Sequence, residues 1–298
     1  LELLIINEEK YMYFSTFSIV AYDPITKGYG IGVASKFLAV GAYVPYARAG
    51  AGAVATQAHV NLAFGIDGLD LMAKGLKATE VKAWLIEHDH GCDERQFGLV
   101  DAFGNADSYT GRNCMHWAGS CVGSGYAIQG NILKDEYVLP AMKTAFENTI
   151  GELEDRLFAA LKAGDDNGGD RRGKQSAALM VVRPNGGYGG NNDRYLDLRV
   201  DDHPAPITEI QRLLKLHRLY FGKSDPAHKI ALTPNLIIEL QQIMQKEGYY
   251  HAKINGDYDA VTRSAWRAFT GTENLEARVD LDAATIDPPA LEYIRTHF

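Results

Sequence analysis

The sequence predicts an α+β fold: two antiparallel sheets packed face to face beneath outer helices, followed by a small helical domain. Three observations carry this reading. Strand-like and helix-like stretches follow the order strands, helices, strands, helices, strands, helix. Neighbouring strands are joined by short turns, which favours antiparallel pairing. A polar stretch holding Gly222 and Pro226 then precedes a last pair of amphipathic helices. Two facing sheets covered by helices bury such a pattern well. A doubly wound nucleotide-binding fold needs strand and helix to alternate one for one, and this order does not.

The elements follow in chain order. Residues 16–22 alternate and stop at Asp23-Pro24, a strand ending in a turn initiator, with 29–34 as its hairpin partner. Residues 51–57 form a small-residue strand suited to packing between layers. Helices are predicted at 67–74 and 79–88, where Val81, Leu85 and His88 share a face. Residues 96–101 and 106–109 flank the turn Ala102-Phe-Gly-Asn105 as another hairpin. Strand-like segments continue around Trp117 and over 125–128. A helix over 134–148 is interrupted by Pro140, and a cleaner one over 152–163 carries the stripe Leu153, Leu157, Ala160 and Leu161 and stops at Gly164. Residues 176–182 and 195–200 are a last strand pair around a Gly/Asn-rich loop, and 207–220 is a closing helix. Beyond it, helices are predicted at 235–247 and 260–270. The expected organisation is an extension at 1–15, an α/β domain at 16–221, a linker at 222–232 and a helical domain at 233–298.

A chain of 298 residues is long enough for about two domains. Its formal net charge is −8, so no global basic field draws nucleic acid or anionic lipid. The tail from Lys229 is acidic too, with seven Lys/Arg against ten Asp/Glu. No apolar run is long enough to cross a bilayer, and residues 1–6 are too short for a signal-peptide core. The chain opens on Leu1 rather than Met, which leaves room for a segment upstream. Three cysteines (Cys92, Cys114, Cys121) make an odd count and no disulfide framework. Free thiols in a cytoplasmic setting are expected, with Cys114–Cys121 pairing as the alternative in an exported protein.

Seven ordered blocks then carry a resemblance. They are Thr16-Phe-Ser-Ile-Val-Ala-Tyr-Asp-Pro24, Val33-Ala-Ser-Lys36, Ala49-Gly-Ala-Gly-Ala-Val-Ala-Thr-Gln57, Arg95-Gln96 leading to Asp101, Gln129-Gly-Asn131, Gly168-Gly-Asp-Arg-Arg-Gly-Lys-Gln-Ser-Ala-Ala178, and Leu198-Arg-Val-Asp-Asp-His-Pro204. Together they closely resemble the family called domain of unknown function 1028, over about residues 16–220. The resemblance implies the four-layer αββα sandwich of N-terminal-nucleophile hydrolases, and no settled substrate comes with it. Residues 235–270 resemble a peptidoglycan-binding module: Leu240-Gln-Gln-Ile-Met-Gln-Lys-Glu-Gly-Tyr249, then Ile254-Asn-Gly-Asp-Tyr258, then a helix to Phe269. A helical accessory domain that binds no glycan fits the same pattern.

In the implied fold the nucleophile is the first residue of the mature first strand, and its own α-amine is the general base. That amine suits the task, since its ordinary pKa lies near 8. Thr16 is the candidate, although a β-branched residue is also ordinary in a strand. Met12-Tyr-Phe-Ser15 precedes it, so self-cleavage between Ser15 and Thr16 is required. Lys36 and Arg48 are candidate stabilisers of an oxyanionic nucleophile, or else structural ion-pair partners. Asp23 is a candidate for orienting a cation, or the start of an Asp-Pro turn. Gly50, Gly52, Gly123 and Gly125 would let backbone N–H groups approach an oxyanion, or simply allow close sheet packing. Gln57, Asn131, Asp170, Arg171 and Ser176 are the candidate substrate-binding residues, with Lys174 in the same charged cluster.

Other motifs are set aside. Gly168 to Lys174 has phosphate-loop spacing, but Gln175 replaces the hydroxyl and a strand follows instead of a helix. His88-Asp-His-Gly-Cys92 lacks a second ligand pair, so no metal site and no cofactor is expected. Asp201, Asp202 and His203, followed by Pro204, read as a turn and helix cap. The expected function is hydrolysis of a small amide or peptide-like substrate. The alternative is a non-catalytic binding or assembly protein with a tail for cell-wall glycan. Proteins of this architecture often assemble, so a homodimer is expected.

Overall fold

The computed structural model describes residues 16–298, so the expected extension at 1–15 lies outside the described residues. Close contacts divide the chain into one unit through Arg212 and a second from Leu213.

The first unit is built on two antiparallel sheets. The predicted hairpin is present as β1 (Thr16–Asp23) and β2 (Gly28–Ser35). Next come β3 (Pro45–Arg48), β4 (Gly52–Ala58), α1 (Ala63–Ala73) and α2 (Ala78–Glu87). Four strands follow, β5 (Arg95–Asp101), β6 (Ala106–Thr110), β7 (Gly119–Gly123) and β8 (Tyr126–Asn131). The unit continues through α3 (Val138–Asn148), α4 (Leu153–Asp166), β9 (Ser176–Val182) and β10 (Arg194–Val200) into α5 (Pro206–Phe221), which runs across the division. The larger sheet has six strands in the order β10-β9-β2-β1-β8-β7, and the smaller has four in the order β3-β4-β5-β6.

The sheets meet through Val20, Ile31 and Val33 on one side and Ala53, Ala55 and Val100 on the other. Alternation explains why: every second residue of β1 points at the facing sheet. On the outer face of the smaller sheet, Leu69, Met72, Val81 and Leu85 of α1 and α2 cover Val54, Phe97 and Leu99. The buried Asp101 carboxylate accepts from the N–H of Ala78, the first residue of α2, at 3.0 Å, fixing that helix to β5. On the larger sheet, α4 lies so close to β2 that a Cβ at Gly30 would stand 2.3 Å from Leu157. A methyl group there would force the Leu157 side chain to shift.

Several boundaries differ from those predicted, each for a local reason. The interval before β4 also holds β3, a four-residue strand opening on a proline, too short to show alternation. The strand expected around Trp117 starts later, at Gly119. Pro140 does not interrupt α3, since it sits in the first turn, where no backbone N–H is needed. Gly164 does not stop α4: it is buried between Phe17 and Met142, where a Cβ would meet both at about 3 Å, and the helix runs on to Asp166.

The second unit contains β11 (Ile230–Ala231), α6 (Pro234–Lys246), α7 (Ala260–Thr272), β12 (Val279–Asp280), β13 (Thr285–Ile286) and α8 (Pro288–His297). Its helices close on Leu240, Met244, Trp266, Phe269, Leu291 and Ile294. Sequence periodicity anticipated α6 and α7 but not α8 or the small three-stranded sheet β11-β13-β12, whose strands have two residues each. Among the described residues, no helix is long and apolar enough to cross a membrane.

Candidate functional site

Strand register gathers polar residues at one end of the inter-sheet layer. Asn131 of β8 pairs with Thr16 of β1, Thr16 with Ser35 of β2, and Ser35 with Ser176 of β9. Directly paired residues project to the same side, so these four form one row across the larger sheet. In the facing sheet Gln57 of β4 pairs with Gln96 of β5, and Gln96 with Thr110 of β6, forming a second row. Ser18 and Gln129, also paired, lie one step further in. All of these except Thr110 are buried. The inter-sheet layer therefore has an apolar half around Val20 and Ile31 and a polar half around Thr16.

Hydrogen bonds tie the polar half together. The Thr16 hydroxyl donates to Ser35 Oγ at 3.4 Å. Gln129 Nε2 donates to Ser18 Oγ at 2.6 Å, and Ser18 donates to Gln57 Oε1 at 2.6 Å. Gln57 Nε2 donates to the Thr16 carbonyl at 3.2 Å and to Gln96 Oε1 at 2.8 Å. Gln96 Oε1 also accepts from Asn131 Nδ2 at 3.0 Å. Gln96 Nε2 reaches Gly130 O at 2.8 Å, Thr110 Oγ1 at 2.9 Å and Gly119 O at 3.2 Å. Every member is a neutral amide or hydroxyl. Neutral groups suit a desolvated layer, where an unpaired charge is very costly. Gln129 lies flat against Gly98 of β5, where a Cβ would stand 2.1 Å from Gln129 Oε1.

The rim of this end is charged. Asp170, with only 1% of its side chain exposed, accepts from the Lys36 N–H at 2.7 Å, the Arg172 N–H at 2.9 Å and the Arg172 guanidinium at 3.1 and 3.2 Å. The Arg171 N–H donates to Ile132 O at 3.0 Å and pins this loop to the chain just past β8. Lys36 Nζ donates to the Lys174 carbonyl at 3.3 Å, and Lys174 pairs with Asp165 at 2.7 Å. Ser176 Oγ accepts from the Val40 N–H at 3.1 Å and donates to the Phe37 carbonyl. Phe17, Ser35, Asp170, Lys174 and Ser176 line a narrow crevice here, with a volume of about 10 Å³.

Six of the residues singled out from sequence thus lie at one end of the sandwich: Thr16, Lys36, Gln57, Asn131, Asp170 and Ser176. Arg171 is exposed beside Asp170. Two others lie elsewhere. Asp23 ends β1 opposite Thr16, and its carboxylate takes the N–H groups of Ile25 and Thr26 at 3.3 and 3.0 Å, the work of a turn residue. Arg48 sits beside Gly52, at the opposite end of β4 from Gln57, and pairs with Asp70 at 2.8 Å. Gly50, Gly52, Gly123 and Gly125 belong to hairpin ends remote from Thr16. Asp202 accepts from Gln175 at 3.1 Å, and His203 Nδ1 accepts from the Ala205 N–H at 3.0 Å before α5. Sequence reasoning gave no site role to Ser18, Ser35, Gln96 or Gln129. The usable signal was a polar residue at inward-facing strand positions, as in Thr16-Phe-Ser18.

A second polar cluster stands at the start of β5. Arg95 pairs with Asp89 at 2.7 Å and donates to the His59 carbonyl at 2.7 Å. Burial pushes the Asp89 carboxyl up, but Arg95 and the Gly91 N–H outweigh it and hold the group below its ordinary value. All three cysteines are free thiols. Among the described residues, no group of His, Cys, Asp and Glu is arranged to hold a metal ion.

Comparison with known proteins agrees with this architecture. A crystal structure of protein SPO2555 from Silicibacter pomeroyi, itself assigned to DUF1028, superposes with a TM-score of 0.63 at 31% identity, covering 70% of this chain and 91% of that one. Anbu (ancestral beta-subunit) from Yersinia bercovieri aligns at 12% identity with a TM-score of 0.32, over 66% of this chain and 92% of that one, too low to carry an argument. No curated protein matches in sequence. Residues 220–294 match the model described as "Putative peptidoglycan binding domain". Residues 16–210, which begin at Thr16 and span the whole polar layer, match the "Family of unknown function (DUF1028)", and the chain belongs to that family.

Proposed function

We propose that the first unit is an amide-bond hydrolase of the N-terminal-nucleophile type, with Thr16 as nucleophile and a small amide or peptide-like substrate. The observation that carries this reading is the setting of Thr16. It opens the central hairpin, its hydroxyl is buried against Ser35 at 3.4 Å, and its carbonyl is held by Gln57 from the facing sheet. The layering, with helices outside two facing sheets, supports the same reading. So does a family match that begins at Thr16.

The chemistry runs in two stages. Thr16 Oγ attacks the Ser15 carbonyl carbon, the C–N bond breaks as nitrogen takes a proton, and water hydrolyses the resulting ester. Ser15 leaves as a carboxylate and Thr16 keeps a free hydroxyl and a free amine. That amine then takes the hydroxyl proton as oxygen attacks a substrate amide, and it returns the proton to the departing nitrogen. Water releases the acyl group as an acid. Lys36 and Arg171, exposed near Asp170, contribute positive potential beside developing negative charge. Intact mass of the purified full-length chain tests the proposal. A species beginning at Thr16 is expected in the wild type and absent in Thr16→Ala; an active protein that keeps residues 1–15 overturns it.

The second unit supports a separate reading as a cell-wall glycan module. Besides its family match, it carries an open groove of about 630 Å³ lined by Tyr249, His251, Val261, Ser264 and Ala268. One aromatic face with polar neighbours suits a sugar ring. Co-sedimentation of the full chain with purified sacculi, weakened by His251→Ala, is expected; no sedimentation of the wild type sinks this role. Self-association of the chain is part of the same proposal, and light scattering at a monomer mass would remove it.

A further inference from the structure

We infer that Gln57 is a positioning residue for Thr16, an assignment that rests on the nucleophile reading above. Both N–H groups of its carboxamide are used. Oε1 accepts from Ser18, and the two N–H groups go to the Thr16 carbonyl and to Gln96 Oε1. The neighbours fix which end of the amide carries nitrogen. The Gly130 and Gly119 carbonyls only accept, so the nitrogen of Gln96 must face them and its oxygen must face Gln57 and Asn131. Gln57 therefore has to offer N–H to Gln96 and oxygen to Ser18. Ser18 spends its single proton on Gln57 and accepts from Gln129. The chain runs one way, from Gln129 through Ser18 and Gln57 to Gln96. Turning one amide round would set donor against donor or acceptor against acceptor.

Thr16 is anchored by that circuit. Within its own sheet it is paired on both sides, with Ser35 of β2 and Asn131 of β8. The Gln57 N–H reaches it from the other sheet and holds the carbonyl while the hydroxyl rests on Ser35. Misplacing a reacting group by about 1 Å can cost roughly a hundredfold in rate. The sequence makes Gln57 a candidate for binding substrate; the register and the bond directions give it this positioning task instead.

The test follows the formation of the species beginning at Thr16 in full-length wild type, Gln57→Leu and Gln57→Glu. Thermal melting is measured alongside, so that each rate is expressed per folded molecule and relative to wild type at the same pH. Gln57→Leu is expected to be slower by about a hundredfold at every pH. Gln57→Glu is expected to be as slow at neutral pH, where carboxylate oxygens face the Thr16 and Gln96 oxygens. It recovers in acid, as the protonated carboxyl regains one donor. A purely structural role lowers the melting temperature but leaves the rate per folded molecule unchanged at all pH values, and that result overturns the assignment. If Gln57→Leu does not fold, the pH series of Gln57→Glu decides alone. A wild type that is never cleaved overturns the nucleophile reading, and this inference with it; a cleaved wild type matched by folded Gln57 variants removes only the role of Gln57.

Discussion

Thr16 and Ser35 stand directly opposite each other on the central hairpin, and their hydroxyl oxygens lie 3.4 Å apart. Ser35 thus places a side-chain hydroxyl beside the proposed nucleophile. Ser35→Ala is expected to slow formation of the Thr16-initiated species about tenfold and to cost about 1 kcal/mol of stability. Intact-mass time courses and urea denaturation read the two effects separately. Cleavage at the wild-type rate would leave Ser35 as packing alone.

The carboxylate of Asp101 closes a larger account. It accepts from the N–H groups of Ala78, Phe103 and Asn105 and from the Asn105 side chain, at 2.8 to 3.0 Å. Asp101→Ala orphans these donors beside the start of α2, and a loss of about 3 kcal/mol in urea denaturation is expected. Asp101→Asn replaces one acceptor oxygen by a donor and should fall between.

Acid should act through Asp89. Its pKa is lowered from 3.8, because Arg95 and the Gly91 N–H favour the charged form against the effect of burial. A depressed carboxylate contributes stability that is complete above the unfolded value and lost as pH falls through the folded one. Asp89→Asn should therefore lower stability at neutral pH and flatten the acid limb below about pH 4. Melting temperatures from pH 2 to pH 7 check this; parallel curves for the two proteins would contradict it.

In the second unit, Gln241 is the buried polar hub. Its Nε2 reaches Tyr250, Asn255 and Thr262, and its Oε1 accepts from the N–H groups of Asn255 and Gly256 at 3.0 Å each. Gln241→Ala should cost about 3 kcal/mol and release amide protection in α6 and α7, while β1 and β4 exchange as before. Hydrogen exchange of the full chain resolves the two regions.

The sequence made much of the fold legible because its strands alternate and its hairpins close on turn residues. Residues 16–22 and 29–34 lie within β1 and β2 as expected. Elements too short for a period, such as β3 and the two-residue strands of the second unit, gave no such signal. Gly164 misled because a glycine ending a helix and a glycine admitting Phe17 look alike in one dimension. The site was half legible. Thr16, Gln57 and Asn131 belong to recognisable blocks, and register brings them together. Arg48 and Asp23 were proposed on charge, and charge does not say which end of a strand a residue occupies. Ser18 and Gln129 carry no charge and no reactive reputation, and only pairing across the layer shows what they hold.

The bare backbone of Gly98 acts as a gauge for the gap between the two sheets at their amide-lined end. One added carbon there would stand 2.1 Å from the Gln129 oxygen, so the Gln129 amide would have to shift. Widening that gap by a methyl group would stretch the Ser18–Gln57 and Gln57–Thr16 contacts together. Interchanging apolar residues around Val20 and Ile31 would meet no such constraint. The two ends of one interior should therefore drift at different speeds: the oily end by trading volume, the amide end scarcely at all.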